Sequence, residues 1–199
     1  NIQDATSVNT FSKIRSNMDK LAYAMYISEL VSSFCSKQFN EDENYSGIYD
    51  LIYSVYNKLA NSTSKEEILL NVLKFQIKFM NILGWGIDFT TCGICQKKLS
   101  SNALFSYSLG GFMCEDCLRS ENNSFNIKVH EKIRLFLAEI SKTEFEKETK
   151  YDSLVNFTVL DKCFKFMKKY MDNISHKKTK VFEVLENFEF NSFKAVQNG

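Results

Sequence analysis

Four of the six cysteines stand in pairs, and their spacing is the most chemically specific feature of the chain. Cys92-Gly93-Ile94-Cys95 and Cys114-Glu115-Asp116-Cys117 form two CxxC motifs 18 residues apart. Each CxxC can present two thiolates to one metal ion from a tight turn, and a hairpin between them can bring the second pair to the remaining tetrahedral vertices. Four thiolates leave no vertex for water or substrate, so the chemistry is structural rather than hydrolytic. Structural Zn2+ is the expected occupant of Cys92, Cys95, Cys114 and Cys117, with rubredoxin-like iron on the same ligands as the alternative. A thioredoxin-type redox pair would need one CxxC at a helix start after a strand. Disulfides fit poorly with a chain that shows no secretion signal. Cys35 and Cys163 read as packed thiols, and His130 and His176 have no catalytic partner nearby in sequence. There is no G-x-S-x-G, no Walker loop and no dinucleotide fingerprint, and the sequence reads as non-enzymatic.

Helices must carry this hairpin. The chain has 199 residues, no proline, seven glycines and 18 phenylalanines. So few breakers among so many apolar residues favour long helices over a many-stranded sandwich. Phe11, Ile14, Met18, Leu21, Met25, Tyr26, Leu30, Val31 and Phe34 predict a first helix of about 25 residues. After the acidic stretch 40–44, Ile48, Leu51, Ile52, Val55, Tyr56 and Leu59 predict a second. Ser64 and Glu67 form a capping box that opens a third, through Ile68, Leu69, Val72, Leu73, Phe75, Phe79, Met80 and Leu83, and Gly84 sits at a helix C-terminal position. Residues 85–120 lose the helical period. Alternation at Leu104–Tyr107 and Gly111–Met113 predicts a small hairpin. The period returns through Val129, Ile133, Phe136, Leu137 and Ile140. It appears again over about 154–173 and in a short last helix from Val181 through Phe182 and Leu185 to Phe188. The expected class is mainly α: a helical bundle with an inserted, zinc-ribbon-like four-cysteine hairpin at about 88–120.

Net charge is +1, so bulk electrostatics names no partner. Residues 162–180, however, hold seven lysines against Asp172 alone. Lys162, Lys165, Lys168, Lys169, Lys177, Lys178 and Lys180 form either a solvated helix face or a phosphate-binding stripe. No apolar run reaches membrane-spanning length.

One combination of motifs resembles a known family. The run from Phe75 through Leu83-Gly84-Trp85 leads into Asp88-Phe89-Thr90-Thr91-Cys92. Phe105-Ser106 and Gly110-Gly111-Phe112-Met113-Cys114 then close the second knuckle. This is similar to the C-terminal part of the bacterial DNA-repair protein RecO family, with its F-x-x-x-x-L-x-x-x-G-[YW], CxxC, F-S, G-G-x-x-CxxC pattern. Phe11-Ser12-Lys13-Ile14-Arg15 through Ala24–Leu30 is similar to that family's first long helix, and the likeness covers about residues 10–188.

The resemblance implies a cytoplasmic, nucleoid-associated recombination mediator. Such proteins bind single- and double-stranded DNA, the C-terminal tail of the single-strand-binding protein SSB, and RecR; they anneal complementary strands and help load RecA. Family members carry an N-terminal OB-fold, for which no five-strand pattern exists ahead of Phe11. Residues 1–10 are therefore expected to be a linker or the tail of that barrel, and 11–199 the helical domain. An acidic, hydrophobic SSB tail would need an apolar groove with a basic rim, for which Tyr49, Tyr53, Lys58 and Lys65 are the candidates. A helical, zinc-stabilised interaction domain without DNA binding is the alternative, and an iron electron-transfer protein is a third class. Salt-dependent DNA affinity and the visible spectrum separate the three.

Overall fold

The structure, a computed structural model, describes residues 9–38, 46–119, 126–148, 156–176 and 179–181. The expected tail at 1–8, the lysines Lys177 and Lys178, and the short helix beyond Val181 lie outside these residues. The elements in chain order are α1 (Ser12–Arg15), α2 (Met18–Gln38), α3 (Ser46–Asn61), α4 (Lys65–Ile82), β1 (Leu104–Ser106), β2 (Gly111–Met113), α5 (Glu115–Arg119), β3 (Asn126–Lys128), α6 (Glu131–Lys142) and α7 (Phe157–Ser175). The protein is mainly helical, with one small sheet. No described helix is long and apolar enough to cross a membrane.

α4 is the central helix, packed on α7 and α3 and touching α6 and α2. Its sequence explains that place: ten of its residues are buried, including Leu69, Leu73, Phe75 and Phe79. Each of those leucine and phenylalanine side chains contributes roughly 1.5–3 kcal/mol on burial. The start is capped as expected, Ser64 Oγ accepting from the Glu67 N–H at 3.1 Å. Glu67 reaches back to the Thr63 N–H at 2.6 Å, and that bond is the main reason its carboxyl lies below the usual range. At the other end Gly84 adopts φ +77°. This lets the Trp85 N–H close on the Met80 carbonyl at 2.9 Å and the Gly84 N–H on Asn81 at 3.2 Å, a paired closure that favours glycine. Ser64→Ala is expected to cost about 1 kcal/mol and to lower the melting temperature by about 2–4 °C in a calorimetric scan.

The first helix differs from expectation. It breaks at Ser16-Asn17, where the Asn17 side chain accepts from the Lys20 N–H at 3.0 Å and so starts α2 afresh. Rotation at the break turns Met18 and Met25 outward, 65% and 52% exposed, while Tyr26 and Ile27 are fully buried. Tyr26 accepts from the Gln76 side-chain amide at 2.7 Å, a buried polar link between α2 and α4. The segment 179–181 is tied back to α2 by Glu29, whose carboxylate accepts the N–H groups of Lys180 and Val181 at 2.8 and 3.1 Å.

The sheet has the order β2-β1-β3. β1 and β2 form the expected hairpin, pairing Phe105 with Phe112. β3 then adds antiparallel to β1, pairing Ile127 with Phe105. That third strand is too short for an alternation signal, and it has no counterpart in the sequence reading. The sheet does not carry a core of its own. Phe105 meets Phe166 and Tyr170 of α7 edge-on at 4.8 and 5.7 Å. Tyr170 also donates to the Trp85 carbonyl at 2.9 Å, and Asn173 donates to that of Tyr107 at 3.1 Å. α7 thus latches the cysteine-bearing insert to the bundle.

Candidate metal centre

Each CxxC is shaped by its own local turn. Cys92 donates its N–H to Lys97 at 2.8 Å, and Gln96 returns one to Cys92 at 2.9 Å, Gln96 sitting at φ 59°. Ahead of this knuckle, Asp88 accepts from the N–H and hydroxyl of Thr90, both at 2.7 Å. It also accepts from the N–H and hydroxyl of Thr91 at 3.2 and 2.5 Å. Burial opposes ionisation of Asp88, yet those donors together pull its carboxyl down to about 2. The second pair sits at the start of α5, with Cys114 just before it and Cys117 inside it. The hairpin joins the knuckles, because the Gly93 N–H bonds the Phe112 carbonyl at 2.8 Å.

The four sulfurs lie within 4.8 Å of one another, and Cys95 and Cys114 are 3.7 Å apart. A tetrahedron with metal–sulfur bonds of 2.3 Å has edges of about 3.8 Å, so the cluster fits one four-coordinate ion. Its electrostatics point the same way. Burial raises the Cys92 thiol, but the N–H groups of Cys95, Cys114 and Ile94 directed at its sulfur outweigh that and bring it to about 6. Cys117, hydrogen-bonded first to Cys95, is pushed up to about 12. Sulfurs this close cannot all ionise alone, and a divalent cation would displace the remaining protons. Cys163 is buried and raised to about 12 by that burial. Cys35 is partly buried and raised for the same reason. Both are packed thiols.

The lysines of α7 occupy its outer arc, spanning about 120° for Lys162, Lys165, Lys168 and Lys169 at 100° per residue. Phe164, Phe166, Tyr170 and Met171 lend that surface no apolar character, because all four are buried. Nor is the stripe uniformly free. Lys165 pairs with Asp161 and Lys168 with Asp172, each at 2.8 Å, and Lys169 lies 4.8 Å over the Tyr107 ring. Lys162 and Lys180 are exposed.

The four groove candidates do not gather around one cleft. Tyr49 and Tyr53 stack on the outside of α3 at 6.4 Å, with Phe11 against Tyr53 at 6.0 Å. Lys58 lies about 140° further round that helix and pairs with Glu146 at 3.4 Å. Lys65, on α4, pairs with Asp19 of α2 at 3.4 Å. Sequence reasoning also passed over Arg134. It is buried, and it donates to the carbonyls of Phe89 and Ser100. A lone arginine in the amphipathic period of α6 carried no signal beyond its rarity, since the chain has three.

With this geometry in place, comparison with known proteins assigns the chain. Residues 15–154 match the family model described as recombination protein O C terminal. The chain belongs to the RecO family. It is 30% identical over 138 residues to the DNA repair protein RecO of Caldicellulosiruptor saccharolyticus, covering 69% of this chain and 53% of that relative. It is 27% identical over 188 residues to that of Desulforamulus reducens, covering 93% and 68%. It is also 23% identical over 193 residues to that of Clostridium novyi, covering 96% and 71%. The chain thus spans about half the length of the first of these relatives. The matched region of the RecO family includes both CxxC motifs, α4 and α6, while α7 and its lysines lie beyond residue 154.

Proposed function

We propose that the chain is the helical, metal-bearing part of a non-enzymatic DNA repair and recombination mediator, with Zn2+ as the structural ion at Cys92, Cys95, Cys114 and Cys117. Family membership carries this reading, since the relatives bear the name DNA repair protein. The closed set of four thiolates supports zinc as a folding element. Its partners would be single- and double-stranded DNA, the acidic tail of SSB, and RecR, meeting in the cytoplasm to promote strand annealing and RecA loading. Phosphates would be held by Lys162, Lys165 and Lys169, with Lys168, Lys177, Lys178 and Lys180 extending the field. For the SSB tail, the exposed Tyr49–Tyr53 stack is the apolar element. Residues 1–10 would lead into an OB-fold upstream. None of these roles needs bond chemistry; each needs surface charge and shape.

Charge reversal at Lys162, Lys165 and Lys169 tests the DNA surface. Single-strand affinity at low salt is expected to fall at least about tenfold. The slope of log affinity against log salt should flatten by roughly 0.7 per lost phosphate contact, about two units for three lysines. Fluorescence anisotropy of a labelled oligonucleotide across a salt series measures both. Two observations favour the second reading, an interaction domain without its own DNA binding: the Lys165–Asp161 and Lys168–Asp172 pairs neutralise half of the outer arc. A parent chain without measurable oligonucleotide affinity at low salt would establish that reading, and a triple variant that binds as the parent does would take these lysines out of the DNA surface. Elemental mass spectrometry of the purified protein identifies the ion and separates zinc from iron.

A further inference from the structure

We propose that Arg134 is a positioning residue for the metal centre. On this proposal it holds the first knuckle in its ligating shape, so that Cys92 and Cys95 are set before the ion binds. This rests on the metal reading above. The knuckle is the tip of a short two-stranded ladder. Its rungs are Cys92 N–H to Lys97 at 2.8 Å, the Thr91–Lys98 bridge, and Leu99 N–H to Thr90 at 2.9 Å. Beyond the Thr90–Leu99 rung the carbonyls of Phe89 and Ser100 turn out of the ladder, and both bond to Arg134, at 2.5 and 3.3 Å. One guanidinium thereby clasps the open end of the loop from both sides.

The residue type suits the task. A guanidinium offers five N–H donors in a rigid fork, so it can serve carbonyls on two strands at once, whereas an ammonium is a point donor on a flexible stem. Arg134 is only 3% exposed, and its nearest carboxylate is Glu131 at 3.8 Å, itself 44% exposed. A cation so buried is costly unless its donors are used, and the two knuckle carbonyls use them. The mounting is firm, because α6 is packed into the bundle by Phe136, Leu137 and Ile140. From the other side Phe89 and Leu99 bury their side chains in the same core, and Asp88 ties down the entry to the knuckle through Thr90 and Thr91. With both ends of the loop fixed, ion release must first open the clasp or strain the knuckle against it. Partners that orient a metal site from outside its ligands typically change metal affinity by about 10–100-fold.

The experiment loads the full chain with Co2+, whose thiolate charge-transfer and ligand-field absorption report a tetrahedral sulfur site. Decay of that absorption is followed after mixing with excess chelator at 25 °C. Arg134→Met is expected to release cobalt about tenfold faster than the parent, and Arg134→Lys at an intermediate rate. Leu59→Ala serves as the control: it removes a fully buried side chain of α3 and lowers thermal stability without touching α6 or the clasp. Its release rate should equal the parent's. If Arg134→Met does not fold, Arg134→Lys decides by the same rate. Parent-like release from the Arg134 variants, or equal acceleration by Leu59→Ala, overturns the proposal alone. A parent that binds neither cobalt nor zinc overturns the metal reading and this proposal with it.

Discussion

The Cys92→Ser, Cys95→Ser protein is expected to carry no metal and to melt at least about 10 °C below the parent. Metal binding contributes apparent free energies of roughly 10–16 kcal/mol in isolated zinc-finger peptides. Only part of that is needed here, since a loss of 1 kcal/mol shifts a protein of this size by about 2–4 °C. The manner of the change distinguishes this protein from one with a detachable zinc module. The hairpin buries Phe105 and Phe112 in the same core as α4 and α7, so loosening the knuckles withdraws support from α7 itself. We expect one cooperative transition that moves as a whole, not a lost hairpin beside an unchanged helical transition. Calorimetry with elemental analysis measures both points. An unchanged transition in a metal-free variant would show that the cluster is not a folding element.

Phe105→Ala is expected to destabilise the protein by about 3–5 kcal/mol, the usual range for deleting a buried phenylalanine. Its ring is fully buried and packs against Tyr107 and Phe112, each at 5.1 Å, besides Phe166 and Tyr170. Edge-to-face pairs of this kind contribute about 0.5–1.5 kcal/mol beyond the area they bury. The variant should keep its metal at 25 °C, because the ligands lie on the knuckles and not on β1. Urea unfolding gives the stability loss and metal analysis the retention. A loss below about 1 kcal/mol would mean that the sheet and α7 do not share a core.

Local features were legible in the sequence because short-range physics decides them. Ser64 and Glu67 announce the start of α4 and Gly84 its end, each through a bond to a backbone group within a few residues. The two CxxC motifs bend their own loops, so the clustering of four cysteines and their hairpin could be named from spacing alone. The apolar period likewise located α3, α4, α6 and α7, since burying one helical face requires it wherever the partner helix lies.

What depends on a distant neighbour was left to the tertiary structure. Asn17 divides the first helix with a side-chain cap that the apolar period passes over, and the break decides that Met18 and Met25 face solvent. β3 exists only because β1 offers a free edge to a strand that returns after the 19 residues between Ser106 and Asn126. Phe166 and Tyr170 of α7 are core because Phe105 arrives against them, and Phe164 because Tyr23 and Tyr26 of α2 do. Asp161 and Asp172 reach Lys165 and Lys168 along one helix, and only the folded side chains show those charges paired. A helical RecO-like chain with four cysteines able to hold a metal ion follows from the sequence alone, because those signals are local and repetitive. The tertiary structure alone decided that the cysteine insert is fastened to the bundle through Arg134, Tyr170 and Phe105, because such fastening is made by side chains far apart in sequence.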